Sequence, residues 1–231
     1  MHFSDDEWVA IALSLKVAAL AVSISLPLGI AIAWLLARRE FFGKSLLSAI
    51  ISLPLILPPV VTGYLLLVAF GRKGVLGIFF EQTFGLVFSF RWTGAALAAA
   101  VMGFPLLVQT IRISMEAIDQ RLEAAAGTLG ANPVWVFFTI TLPLSLPGII
   151  AGTVLAFARS LGEFGATITF VSAIPGETQT LASAISAALQ DPEGEPEAWR
   201  LTVLSILISF AAIFLSGFVS RFVARRLGTA P

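Results

Sequence analysis

The sequence predicts an all-α protein, a polytopic bundle of about five membrane-spanning helices forming one domain over residues 1–231. Three observations carry that expectation. Hydrophobic residues make up 58% of the chain and charged residues only 12%, where soluble domains carry roughly 25% charged. The mean hydropathy is +0.95. Five apolar blocks are each long enough for the roughly 20 helical residues that cross a bilayer.

The first span is expected over about 8–36, interrupted by Lys16 and by Pro27-Leu28-Gly29. Lys16, about two turns in, is long enough to reach the outer interface with its ammonium. The second covers about 45–70 and contains Pro54 and the pair Pro58-Pro59. A wetter connection, 71–91, holds a short aromatic stretch around 78–84. The third span covers about 92–113, with Pro105 inside it, the fourth about 147–171 and the fifth about 202–223. Each internal proline removes a backbone donor and tends to kink its helix. In lipid the freed carbonyls need neighbours, so such helices pack in a bundle or border a water-filled cavity.

Orientation follows from the short-loop basic bias. Arg38, Arg39 and Lys44 follow span one, Arg112 and Arg121 flank the loop after span three, and Arg221, Arg225 and Arg226 lie in the tail. All fall on one side, the cytoplasmic one. The N-terminus, with Asp5, Asp6 and Glu7, lies outside and the C-terminus inside. The outer loop 172–200 carries five carboxylates from Glu177 to Glu197 and a short helix expected over 180–189. No positive n-region precedes the first span, so it is expected to be retained.

The cytoplasmic loop 115–143 contains the most distinctive stretch, RLEAAAGTLGANPVWVFFTITLPLSLPG from Arg121 onward. Leu122, Ala125, Ala126 and Leu129 recur at helical spacing, giving a short amphipathic helix. Gly127 and Gly130 leave a shallow surface and a stop. Asn132-Pro133 marks a turn, with Pro133 suited to the first turn of the next helix. Composition alone equally suits an ordinary loop between spans.

Within the fourth span, Arg159 and Glu163 stand four apart on one helical face and can pair. Arg159 lies roughly 18 Å along a helix from Pro147, where an unpaired charge would cost several kcal/mol. The pair either locks helices together or, with Ser160 and Thr167, borders the route of an anion. Gly162 and Gly165 thin the same region and let another backbone approach.

Several chemistries are missing from the sequence. There are no cysteines, so disulfides and thiolate metal sites are excluded. No GxxxxGK[ST] loop occurs for ATP, and His2, the only histidine, rules out a Ser-His-carboxylate set. No cofactor or metal is expected on this chain, it is not expected to be an enzyme, and a net charge of zero gives no basic field for nucleic acid. Two readings other than a driven permease stay open on residues alone. One is an ion-coupled secondary transporter using Arg159 and Glu163 as a relay, and the other is a membrane scaffold.

The 121–143 loop resembles the EAA loop of ABC-importer permease subunits, whose pattern is EAA-x3-G-x9-I-x-L-P. Ala124, Ala125 and Ala126 are followed after three residues by Gly130, and after nine more by Ile140, Thr141, Leu142 and Pro143. Ala124 stands where that family has its glutamate, and Glu123 comes one place earlier, about 100° around a helix. The run from Ala158 to Thr167, then Ile174-Pro175-Gly176-Glu177-Thr178, is similar to the molybdate permease branch, as is 53–61 in span two. Sulfate permeases have a related GE[FY]G element, and tungstate matches molybdate in size and charge. The resemblance implies a type I ABC importer (MetI-like) fold, a homodimer in the cell inner membrane, and two cytoplasmic ATPase subunits holding ATP and Mg. It further implies a periplasmic or surface-tethered oxyanion-binding protein, with molybdate, or alternatively sulfate, thiosulfate or tungstate, as cargo. Glu123, Ala124, Ala125, Ala126, Gly130, Ile140, Leu142 and Pro143 become the expected ATPase-docking residues, and Arg159, Ser160, Glu163 and Thr167 the expected pathway residues.

Overall fold

The computed structural model describes residues 4–226, with side chains described as far as residue 215 and at 217 and 218. His2 and the side chains of Arg221, Arg225 and Arg226 lie outside the described residues. Every regular element among the described residues is helical. In chain order they are α1 (Asp5–Arg38), α2 (Lys44–Ile56), α3 (Pro59–Phe70), α4 (Val75–Phe84), α5 (Trp92–Glu116), α6 (Gln120–Thr128) and α7 (Pro133–Val136). A π-helical turn (Phe137–Thr141) leads into α8 (Leu142–Leu161), followed by α9 (Gly165–Val171), α10 (Leu181–Ala188) and α11 (Glu195–Arg226).

Four of these helices are long and apolar enough to cross a membrane, and the α2–α3 pair makes a fifth if taken as one span. That pair departs from a merely kinked helix. The chain turns by 114° between α2 and α3, because Pro58 and Pro59 are consecutive and Pro58 takes φ −53°, ψ 134°, outside the helical region. Pro27, Pro54, Pro105 and Pro147, standing singly, all remain inside helices.

The α1 and α5 helices form the spine of the bundle. Its outer half packs Val17 and Ala21 of α1, Leu66 of α3, Ala95, Ala99 and Met102 of α5, and Phe170 of α9. Its inner half packs Ala33 and Leu36 of α1, Leu107, Ile111 and Met115 of α5, and Ile149 and Ala156 of α8. Alanine dominates the α5 contacts because apolar side chains gain little from leaving lipid, so association favours small residues that bring backbones close. A Cβ on Gly165 would stand 2.7 Å from Cβ of Pro59, so the α3–α9 crossing needs glycine there.

The outer end of α1 is tied to α10 and α11. Buried Glu7 pairs with Arg200 at 2.9 Å and accepts from the Ser4 N–H at 2.6 Å, closing a capping box at the start of α1. The Leu181 N–H donates to Ser14 Oγ at 2.6 Å. Lys16 places its Nζ 3.7 Å from the ring centroid of Trp92, a cation–π contact between α1 and the start of α5.

Three boundaries shift from the sequence expectation. The fourth span begins at Pro133, the residue expected to open the next helix, and ends at Leu161, so helix covers the 133–143 end of the loop expected over 115–143. Its outer continuation, α9, is a separate short helix. The outer loop ends at Gly194, since Glu195 and Glu197 form the first turn of α11, where carboxylates suit the positive end of the helix dipole.

Candidate functional site: the cytoplasmic helix and the break after α8

Helix α6 starts on Asp119, whose carboxylate accepts from the Arg121 N–H at 2.9 Å. It ends at Gly130, which has φ +86°. The Ala131 N–H reaches the Ala126 carbonyl at 3.1 Å and the Gly130 N–H reaches that of Gly127 at 3.0 Å. This is the paired closure of a helix that turns out through a left-handed residue, a conformation glycine adopts without strain. Gly127 stays inside the helix, so the stop is at Gly130 alone. Asn132 then caps α7 by accepting from the Trp135 N–H at 2.8 Å, with Pro133 in the first turn.

No residue of α6 is buried. Ala124, Ala125 and Gly130 are exposed, Ala126 is half-buried, and Leu129 is 88% exposed. Val134, Trp135 and Phe138 carry the same apolar surface onto α7 and the π-turn. Val134, Trp135 and Phe138 open the long apolar helix Pro133–Leu161, where such side chains can meet lipid. Leu122 and Leu129, by contrast, are exposed on or just after α6, outside the long apolar helices, where an apolar patch commonly marks an interaction site. Of the remaining loop residues, Ile140, Leu142 and Pro143 are half-buried and belong to the π-turn and the start of α8.

Glu123 departs from the rest. Its Oε1 accepts from Arg38 Nε at 2.9 Å and from Thr141 Oγ1 at 2.7 Å. It therefore faces the end of α1 and the π-turn instead of solvent. A cleft of about 300 Å³ lies beside this junction, lined by Trp34, Arg39, Gln120, Ala124, Gly127 and Phe137 among others.

At the other end of α8, Arg159 Nη1 lies 2.6 Å from Glu163 Oε2, with Arg159's side chain 27% exposed and Glu163's 2%. Arg159 is two residues from the end of α8, and Glu163 sits beyond it in the break, so the pair bridges the helix end instead of lying mid-helix. The second Glu163 oxygen accepts from the Ala166 N–H at 2.8 Å, satisfying an otherwise orphan donor at the start of α9. Ser160 is buried and donates to the Ala99 carbonyl at 3.3 Å. Thr167 is also buried. Of the four residues expected to border a pathway, Arg159 alone has an appreciably accessible side chain, and Gly162 meets only its own helix.

A bundle of membrane-spanning helices with a broken helix pair running from its inner half (α2) to its outer half (α3) and an exposed small-residue helix on its inner end is the architecture of a transport permease. The chain belongs to the family of binding-protein-dependent transport system inner membrane components, whose model matches residues 25–229. It is 58% identical over 228 residues to the molybdenum transport system permease protein ModB of Escherichia coli (strain K12), covering 99% of this chain and 100% of that protein. The Haemophilus influenzae (strain Rd) protein of the same name is 57% identical over 219 residues, covering 95% and 96% of the two chains. In fold, the chain is similar to a bacterial ABC transporter involved in the import of the acidic polysaccharide alginate. That match has a TM-score of 0.74 at 16% identity and covers 95% of this chain and 80% of the other. The type I ABC importer fold expected from the sequence is the one observed.

Proposed function

We propose that this chain is the permease subunit of an ABC importer that carries molybdate across the cytoplasmic membrane. The observation that carries this reading is the 58% identity to the E. coli molybdenum permease over the whole length of both chains. Sulfate, thiosulfate and an ion-coupled secondary mechanism are not favoured by any comparable match, and tungstate is a second cargo of the same size and charge. The energy comes from separate ATPase subunits that hold ATP and Mg, while this chain binds no cofactor.

The exposed apolar surface of α6 and α7 is the ATPase-docking face. Ala124, Ala125, Ala126 and Gly130 offer a shallow knob, and Leu129 and Trp135 supply the apolar area that association would remove from water. Ile140, Leu142 and Pro143 connect that knob rigidly to α8. Two copies of the chain pair about a two-fold axis, each receiving one ATPase, and an oxyanion-binding protein delivers cargo to the outer surface. ATP binding draws the two α6 helices together and rocks the bundles toward an outward-open state, and hydrolysis resets them. Arg159, with its accessible guanidinium, is the pathway residue that meets the oxyanion, and Glu163 is the counter-ion that holds it in place.

The test is ATP hydrolysis by the chain co-reconstituted with its ATPase in vesicles. Hydrolysis should rise when molybdate-loaded binding protein is added and stay at baseline with sulfate. Equal stimulation by both anions would contradict the cargo assignment, and failure of any ATPase to co-purify would contradict the class.

A further inference from the structure

We propose that Glu123 is a positioning residue that pins the docking helix to the membrane bundle through Arg38 and Thr141, so that movement of α6 is passed to α1 and α8 together. This rests on the reading of α6 as the ATPase-docking helix and assigns Glu123 a task other than touching the ATPase.

Three segments meet at one carboxylate. Arg38 is the last residue of α1, Glu123 lies in the first turn of α6, and Thr141 closes the π-turn. The Arg38 side chain is 6% exposed and that of Glu123 19%, and Thr141 is buried. Arg38 Nη2 also reaches the Ile118 carbonyl in the α5–α6 connection at 3.4 Å. Since α6 buries none of its own residues, apolar packing holds it only weakly. Among the described residues, the two hydrogen bonds of Glu123 are the only side-chain hydrogen bonds from α6 to the transmembrane helices. Both act on an ionised group shielded from water, where such bonds are about twice as strong as neutral ones.

The π-turn places Thr141 in this junction. Its wider ring inserts one extra residue into the helix running from Pro133 to Leu161, as π-turns at functional positions commonly do. Glu123 therefore grips the end of α1 and the root of α8 at once. A push on the exposed face of α6 reaches α1 and α8 through Glu123 as well as along the chain through 129–132. The one-residue offset between Glu123 and Ala124 has a physical meaning in this arrangement. Ala124 stays exposed on the docking face, and Glu123, about 100° around the helix, turns inward.

The experiment compares Glu123→Ala, Arg38→Ala and the charge-reversed pair Arg38→Glu with Glu123→Arg, each co-reconstituted with the ATPase and binding protein. The tie predicts that all variants retain the ATPase on co-purification. It also predicts that the single variants import about tenfold less molybdate per ATP hydrolysed, a coupling of ordinary size, with substantial recovery in the reversed pair. Hydrogen exchange on the purified chain provides a reading independent of cargo: amides of 120–128 should exchange faster in the single variants and slow again in the reversed pair. Loss of ATPase binding in Glu123→Ala would instead make Glu123 a docking contact and overturn the proposal. Wild-type import per ATP in that variant, or unchanged exchange, would also overturn it. Failure of the wild-type complex to import any oxyanion would sink the functional reading, while the exchange data would still decide whether Glu123 pins α6.

Discussion

Replacing Arg159 by alanine leaves the Glu163 carboxylate 2% exposed with one backbone partner, the Ala166 N–H, and no counter-charge. Breaking a buried pair from one side costs about 3–5 kcal/mol. Because a quarter of the Arg159 side chain is accessible, the lower end applies, about 3 kcal/mol. For a chain of this size that lowers Tm by roughly 6–12 °C. Glu163→Gln is milder. The amide oxygen can still accept from Ala166 while the freed guanidinium turns toward water, so the loss is about 1–2 kcal/mol. The assay is thermal unfolding in detergent micelles, run beside molybdate import in vesicles. Arg159→Met combined with Glu163→Gln separates structure from transport, since a neutral pair removes the orphan charge. Its Tm should return to within a few degrees of wild type, while import stays low if Arg159 meets the anion. Equal Tm values for Arg159→Ala and Glu163→Gln would refute the electrostatic argument. Recovery of import in the double variant would refute the pathway role.

Five further variants have expected outcomes. Gly130→Asp should abolish ATPase co-purification, because it sets a charge on the docking face. Gly130→Ala should cost about 1–2 kcal/mol from its φ of +86° with no clash, which a modest Tm loss with intact co-purification would confirm. Gly148→Leu should prevent accumulation of folded protein, since any side chain there runs into Ser114 across the α5–α8 crossing. Gly127→Ala, which meets open space, should accumulate normally, and size-exclusion profiles of the two variants distinguish these cases. Arg200→Ala should destabilise the outer end by about 3 kcal/mol, read as faster proteolysis of the 172–194 loop in right-side-out vesicles, because it strands the buried Glu7.

The long apolar blocks were legible in the sequence because a bilayer demands a length and polarity that few other structures share. The amphipathic helix before Gly130 and the turn at Asn132-Pro133 were legible for a similar reason, since their cap residues are chemically distinctive. The breaks were less so. Pro58-Pro59 announces an interruption, but the 114° turn depends on how α3 settles against α9 through Gly63, Gly165 and Ala166. The chain from Pro133 to Leu161 read as a loop followed by a span because Pro143 and Pro147 look like boundaries. Pro143 instead lies inside the continuous helix Pro133–Leu161, directly after the π-turn Phe137–Thr141, whose wider ring accommodates the donor and the space that a proline removes. Glu123 stands out in the sequence as a glutamate one position out of register. Its partners, Arg38 and Thr141, are 85 and 18 residues away in the chain, and pairing at such distances leaves no local pattern.

Uptake of radiolabelled molybdate into vesicles holding this chain, its ATPase and its binding protein decides whether the chain is a molybdate permease. Uptake should require ATP on the ATPase side, be competed by tungstate, and be little affected by excess sulfate. Uptake that persists without the ATPase and collapses with the proton gradient, or that prefers sulfate, would contradict that reading.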